Sequence, residues 1–133
     1  MTRSQYFADT TALEFGPFRL IPATCKLSYR NRRVNLGSRA GAILVLLVEN
    51  AGELVATSEL LARVWPVANV TSGTLRVHVA FLRKTFNELA GESDYIHTIH
   101  GHGYRFVIPV RHVLNLHDSF EHTERMQLLS ALR

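Results

Sequence analysis

Between residues 72 and 91 the apolar side chains Leu75, Val79, Leu82, Phe86 and Leu89 recur at intervals of four, three, four and three. That is the period of an α-helix with one buried stripe, and it predicts a helix capped by Thr71 or Ser72 and stopped near Gly91. A second period follows almost at once. Residues 95–100 and 104–108 are β-prone runs separated by Gly101-His102-Gly103 and closed by Pro109, which reads as a hairpin with a slim turn. An amphipathic helix followed closely by a glycine-turned hairpin points to an α+β chain in which the two elements are neighbours.

Upstream, residues 13–36 are short β-prone runs broken by Gly16-Pro17, by Pro22 and by the polar turn Arg30-Asn31-Arg32, the pattern of a small antiparallel meander. Ser38 is then expected to cap a helix over 39–50 that ends at Gly52. Ile43 to Val48 is apolar on every side, so this helix should be sandwiched in the core. Thr57 is expected to cap a second helix, with Glu59 in its first turn, running through Leu60, Leu61 and Val64 to Trp65 and stopped by Pro66. The chain thus divides into a leader over 1–12, one folded domain over 13–110, and a tail or linker over 111–133. In the tail, Ser119 could cap a short helix carrying Phe120, Leu128, Leu129 and Leu132. That stripe could pack on the domain, pair with another copy, or open a further domain.

Several function classes fit poorly. The 133 residues, 47% of them apolar, suffice for one modest core. Cys25 is the only cysteine, which leaves no intramolecular disulfide and no thiolate metal cage, and it reads as a small apolar filler near a strand. The longest apolar stretch, 40–48, is far too short for a bilayer core of roughly 30 Å. Asp9 and Glu14 interrupt the first twenty residues, so no secretory signal is expected and the chain reads as cytoplasmic. Cys25 has no histidine partner in sequence, no phosphate-cradling loop is present, and no serine or carboxylate pair stands in a catalytic setting. The chain is therefore not expected to be an enzyme or to carry a cofactor. Of the hairpin histidines, His97 falls on the opposite strand face from His100, and no cysteine or carboxylate completes a tetrahedral set with them, so no metal is expected.

Charge points elsewhere. The formal net charge is +4, and of the fifteen basic side chains all but Lys26 and Lys84 are arginine, whose planar fork suits phosphates and guanine edges. Opposite the core stripe, the helix over 72–91 shows Gly73, Arg76, Val77, Ala80, Lys84 and Asn87, with Arg83 alongside. Its middle is slim and its flanks are cationic, the shape required to enter a DNA major groove while reaching the phosphates on either wall. Taken alone, the same face could be an ordinary solvated one. The hairpin adds Thr98, His100, His102, Tyr104 and Arg105 as donors. Gly101 and Gly103 permit a tight turn with positive φ and no bulk at the point of contact, so the hairpin can approach a neighbouring minor groove or backbone.

In the order of these elements and in several short words the chain resembles the C-terminal effector domain of the OmpR/PhoB-type winged-helix regulators. The words are Glu59-Leu60-Leu61 with Val64-Trp65, Val77-His78-Val79 with Leu82-Arg83-Lys84, and the run Thr98-Ile99-His100-Gly101-His102-Gly103-Tyr104-Arg105-Phe106. The resemblance covers residue 13 to about 110. It implies a winged helix-turn-helix with a four-stranded N-terminal antiparallel sheet, three helices and a C-terminal β-hairpin wing. It further implies a bacterial transcription regulator that binds double-stranded DNA sequence-specifically, third helix in the major groove and wing on the adjacent minor groove or backbone. RNA polymerase, touched by the loop before the third helix, and a second copy on DNA are the further partners it suggests. Position by position, Thr74, Arg76, Val77, His78, Arg83 and Lys84 would face the groove or its walls. Thr98, His100 and Tyr104 would be wing contacts, with His102 in the turn between them. Trp65 would stand beside the backbone or anchor the core.

The chain departs from that family at four positions. Phe81 stands where an arginine is often found, His100 replaces a frequent arginine, Gly73 replaces a helix-starting arginine, and Arg76 occupies a frequently acidic position. Losing three cations should weaken phosphate affinity or move specificity toward apolar contact. Phe81 is then either a contact to a thymine methyl or a contact to a protein. The competing reading of the whole chain is a winged helix that has lost DNA binding and serves as a protein–protein interaction module. No phosphoacceptor receiver domain is expected ahead of the winged helix in this chain. The resemblance also fits relatives in which this domain comes first.

Overall fold

The computed structural model describes residues 11–92 and 94–114, which form two antiparallel sheets around three helices. Four short strands, β1 (Thr11–Phe15), β2 (Phe18–Ile21), β3 (Lys26–Tyr29) and β4 (Arg32–Val34), make the expected meander. Alternation of side chains along a strand aligns Leu13, Leu20, Leu27 and Val34 in one cross-strand row against the core. The intervening row, Glu14, Arg19, Ser28 and Arg33, belongs to the other face. The turn between β3 and β4 is only two residues long. Arg30 (φ 49°) and Asn31 (φ 68°) are both left-handed there, as a tight hairpin connection requires.

The helices are α1 (Ser38–Glu49), α2 (Thr57–Val64) and α3 (Ser72–Ala90). Two caps differ from expectation. Ser38 is the first residue of α1, and Gly37, at φ 81°, holds the cap position. At α2, Ala56 caps and Thr57 is already helical, because the Thr57 N–H donates to the carbonyl of His102 at 3.0 Å. A tertiary bond thus satisfies a donor that a side-chain cap would otherwise have to serve. Thr71 does occupy the cap of α3, and Gly91 ends that helix in the left-handed conformation at φ 71°.

α1 packs against α2, α3 and the wing, burying Ala40, Gly41, Ile43, Leu44, Leu47 and Val48, with Val45 and Leu46 half-buried. Its approach to the β2–β3 turn is close. A Cβ on Gly41 would lie 3.2 Å from that of Cys25, so Cys25 is the small filler its composition suggested. Burial, and then the Glu49 carboxylate, push its thiol up from the ordinary range.

The second sheet joins β5 (Leu54–Ala56), β6 (Ile96–Ile99) and β7 (Gly103–Phe106) in the order β5-β7-β6. β6 and β7 are the expected hairpin. β5 was not anticipated, since three residues carry no periodicity. A further difference lies beyond Pro109, where residues 111–114 were expected to begin a tail. They form β8 (Arg111–Leu114), which pairs antiparallel with β1 from Thr11↔Leu114 to Glu14↔Arg111. Glu14 holds this junction, accepting from Arg111 and lying 3.4 Å from Arg19. Among the described residues the fold thus includes residues 11 and 12 and the strand over 111–114. The helix expected from Ser119 lies outside the described residues.

The core joins the two sheets through an aromatic cluster. Phe15 meets Phe106 at 4.9 Å between ring centroids, Phe18 meets Phe86 at 5.1 Å, and Phe86 meets Tyr95 at 4.6 Å. Strand, helix and wing are thereby fixed to one another by edge-to-face and offset ring contacts. Among the described residues no helix is long and apolar enough to cross a membrane.

Candidate nucleic-acid interface

Burial of Leu75, Val79, Leu82 and Phe86 sets the rotation of α3, with Leu89 half-buried at its end. The opposite face is open. Arg76, Val77, Ala80, Phe81 and Lys84 are exposed there, and Lys84 is paired only loosely with Glu88 at 3.9 Å. Beside α3 stands the turn of the wing, with His100, Gly101 and His102 all exposed. A groove of about 610 Å³ separates the two, lined by Ser72, Arg76 and Arg83 from the helix, by residues 98–104 from the wing, and by Thr57 from the start of α2.

Three of the expected contact residues, Arg83, Thr98 and Tyr104, line this groove while also serving the fold. Arg83 is half-buried and turned onto the wing. Its Nε and a terminal nitrogen donate to the carbonyl of Ile96 at 3.2 and 2.7 Å, and the same nitrogen donates to Thr98 Oγ1 at 2.9 Å. Arg83 and Thr98 therefore buckle helix to wing. Tyr104 also lines the groove, but from below. At 6% exposed it belongs to the core and to the floor of the groove, on the central strand of the β5-β7-β6 sheet. Arg105, next to it, is half-buried.

Thr74 and His78 form the other flank of α3, and both are half-buried. His78 Nδ1 lies 2.9 Å from the carbonyl oxygen of Thr74, and its ring meets Trp65 edge-on at 5.3 Å. Trp65 is 8% exposed and also carries the Arg39 guanidinium over its ring at 5.7 Å, so it walls the core beneath the helix. Arg39 in turn donates to the Val64 carbonyl at the end of α2. His97 is held by Asp94 at 2.7 Å on the outer side of β6. Among the described residues no three histidine, cysteine or carboxylate groups stand close enough to hold a metal ion.

The wing owes its position to Gly103. A Cβ there would lie 2.1 Å from the carbonyl oxygen of Val55, so β5 can pair with β7 only because this residue has no side chain. Gly101, at φ 75°, is the residue that the turn itself requires.

Three helices, a meander and a hairpin beside an exposed cationic helix face are the features by which known families can be compared with this chain. The family described as "Transcriptional regulatory protein, C terminal" matches residues 31–106. The chain belongs to this family. Its fold is the winged helix, as that of the DNA-binding domain of CadC from E. coli, which is 26% identical and superposes with a TM-score of 0.67 over 77% of this chain and 97% of that one. The C-terminal domain of the nisin resistance regulator NsrR, 31% identical, gives a TM-score of 0.57 over 70% of this chain and 93% of that one. Among curated relatives, the response regulator MprA of Mycobacterium tuberculosis is 34% identical over 104 residues, 77% of this chain and 45% of MprA. The winged helix described here thus spans under half the length of that relative.

Periodicity did not point to Ser72 or Thr57 as groove residues. In sequence both read only as helix caps, and Thr57 reaches the groove through the pairing of β5 with β7, a long-range contact that leaves no local signal.

Proposed function

We infer that this chain is the sequence-specific, double-stranded-DNA-binding part of a bacterial transcription regulator. The exposed face of α3 carries the reading: it is slim at Ala80, flanked by Arg76 and Lys84, and set beside a wing turn across an open groove. α3 lies in the major groove with Arg76 able to reach base edges or phosphates, while His100 and His102 meet the adjacent minor groove or backbone. Lys84 serves as a point charge for a phosphate. Arg83 and Thr98 act by holding the wing at its angle. Val67, 99% exposed in the α2–α3 loop, suits a contact to RNA polymerase, and a second copy of the chain can occupy a neighbouring half-site. Such a regulator works in the cytoplasm.

The exposure of Val77 and Phe81 also favours a second reading, a winged helix whose partner is a protein. Fluorescence anisotropy with a labelled generic duplex at two salt concentrations separates the two. With about four phosphates neutralised, binding should weaken about a hundredfold as salt rises from about 50 to about 200 mM. Little binding at either salt would remove the DNA reading and leave the protein partner.

A further inference from the structure

Large apolar side chains in this fold are mostly buried, yet two of them, Val77 and Phe81, stand one helical turn apart on the open face of α3. They are 67% and 42% exposed. The other large exposed apolar residues among those described, Leu54, Val67 and Leu114, belong to β5, the α2–α3 loop and β8. Two adjoining large apolar side chains on one open helix face lose water only when something covers them. Here the residues around it limit what the cover can be. Arg76 precedes the pair, Lys84 follows it, and the histidine-bearing wing turn lies across the groove, so the surface is built to meet a polyanion.

We propose that Val77 and Phe81 read the C5-methyl groups of two nearby thymines in the major groove. The inference rests on the DNA-binding reading above and narrows it to a base preference. The apolar group that a base pair displays in the major groove is the thymine methyl. Residues four apart on a helix rise about 6 Å, and successive base pairs rise about 3.4 Å, so the two side chains meet bases about two steps apart. Both side chains lean toward the N-terminus of α3, which preserves that spacing. Ala80, between them in sequence, adds no bulk that would hold the helix off the bases. The preferred site therefore carries two thymines within three consecutive base pairs, and each loses its methyl from water on binding.

The test begins with a duplex selected by the full chain from a random pool. Each thymine in it is then replaced in turn by deoxyuridine, which removes the methyl and leaves every hydrogen-bonding group in place. Two positions within three base pairs should each lose about fourfold in affinity, the worth of one methyl taken out of water. Phe81→Ala and Val77→Ala should weaken binding to the thymine duplex while adding no loss on the matching deoxyuridine duplex. Phe81→Leu should retain most of the wild-type preference. Wild-type protein that binds the selected duplex but is indifferent to deoxyuridine everywhere would overturn the proposal and leave DNA binding standing. So would an equal loss by Phe81→Ala on both duplexes. Failure to select or bind any duplex would overturn the DNA-binding reading and this inference with it.

Discussion

Arg83 shows how a residue's place in a motif and its job in the fold can separate. Its Nε and one terminal nitrogen bind the Ile96 carbonyl and the Thr98 hydroxyl, so the side chain ties α3 to the wing. Arg83→Ala should therefore cost stability, about 1.5–3 kcal/mol for hydrogen bonds from a charged donor, and should lower duplex affinity on every sequence alike. Arg83→Lys should not restore it, because an ammonium cannot reproduce the two-pronged bond to Ile96. Lys84→Ala should leave stability unchanged and reduce the salt dependence of binding by the share of about one phosphate. Arg76→Ala should also shift base preference. Denaturant midpoints beside salt titrations of the three alanine variants check this. The idea fails if Arg83→Ala is as stable as the parent.

At the scale of elements, the wing is set by what lies beneath it. β5 contributes three residues, yet it closes the sheet on β7 and brings the start of α2 to the groove. Gly103 permits that contact, since any Cβ would sit 2.1 Å from the Val55 carbonyl. Gly103→Ala should destabilise the chain by about 3 kcal/mol through forced separation of the strands. Gly101→Ala, facing open space, should cost only the strain of its positive φ, about 1 kcal/mol. Thermal unfolding of the two variants should rank them in that order. The helices were legible in sequence because their stripes are regular: Leu75 to Phe86 repeats cleanly over three turns. The caps were less so, because Thr57 spends its N–H on His102, a partner 45 positions away that no local rule anticipates.

Across the whole molecule, one aromatic cluster carries reader helix and wing together. Phe15 from β1 touches Phe18, Phe86, Tyr95 and Phe106, so a single side chain bridges the meander, α3 and the wing. Phe15→Ala should cost about 3–5 kcal/mol, a large share of the stability of a domain this size. Duplex affinity should fall in step with the folded fraction in a urea titration of the variant. Retained affinity after loss of the cooperative transition would contradict a shared core. β8 adds a second long-range tie, setting Leu114 beside Thr11 at the edge of the larger sheet.

The amino-acid order was enough to place the meander, the three helices and the hairpin, because alternation and helical stripes are local consequences of burying one face. It also placed the cationic, slim side of α3, which follows once the buried stripe is known. It could not show that Arg83 also ties the helix to Ile96 and Thr98, or that Tyr104 is buried, since both depend on how the wing packs on the helix. Nor could it find β5 and β8, which are recognisable only by the partners they pair with. Those decisions belong to contacts between residues far apart in the chain, where packing and hydrogen bonding, and not local pattern, set the outcome.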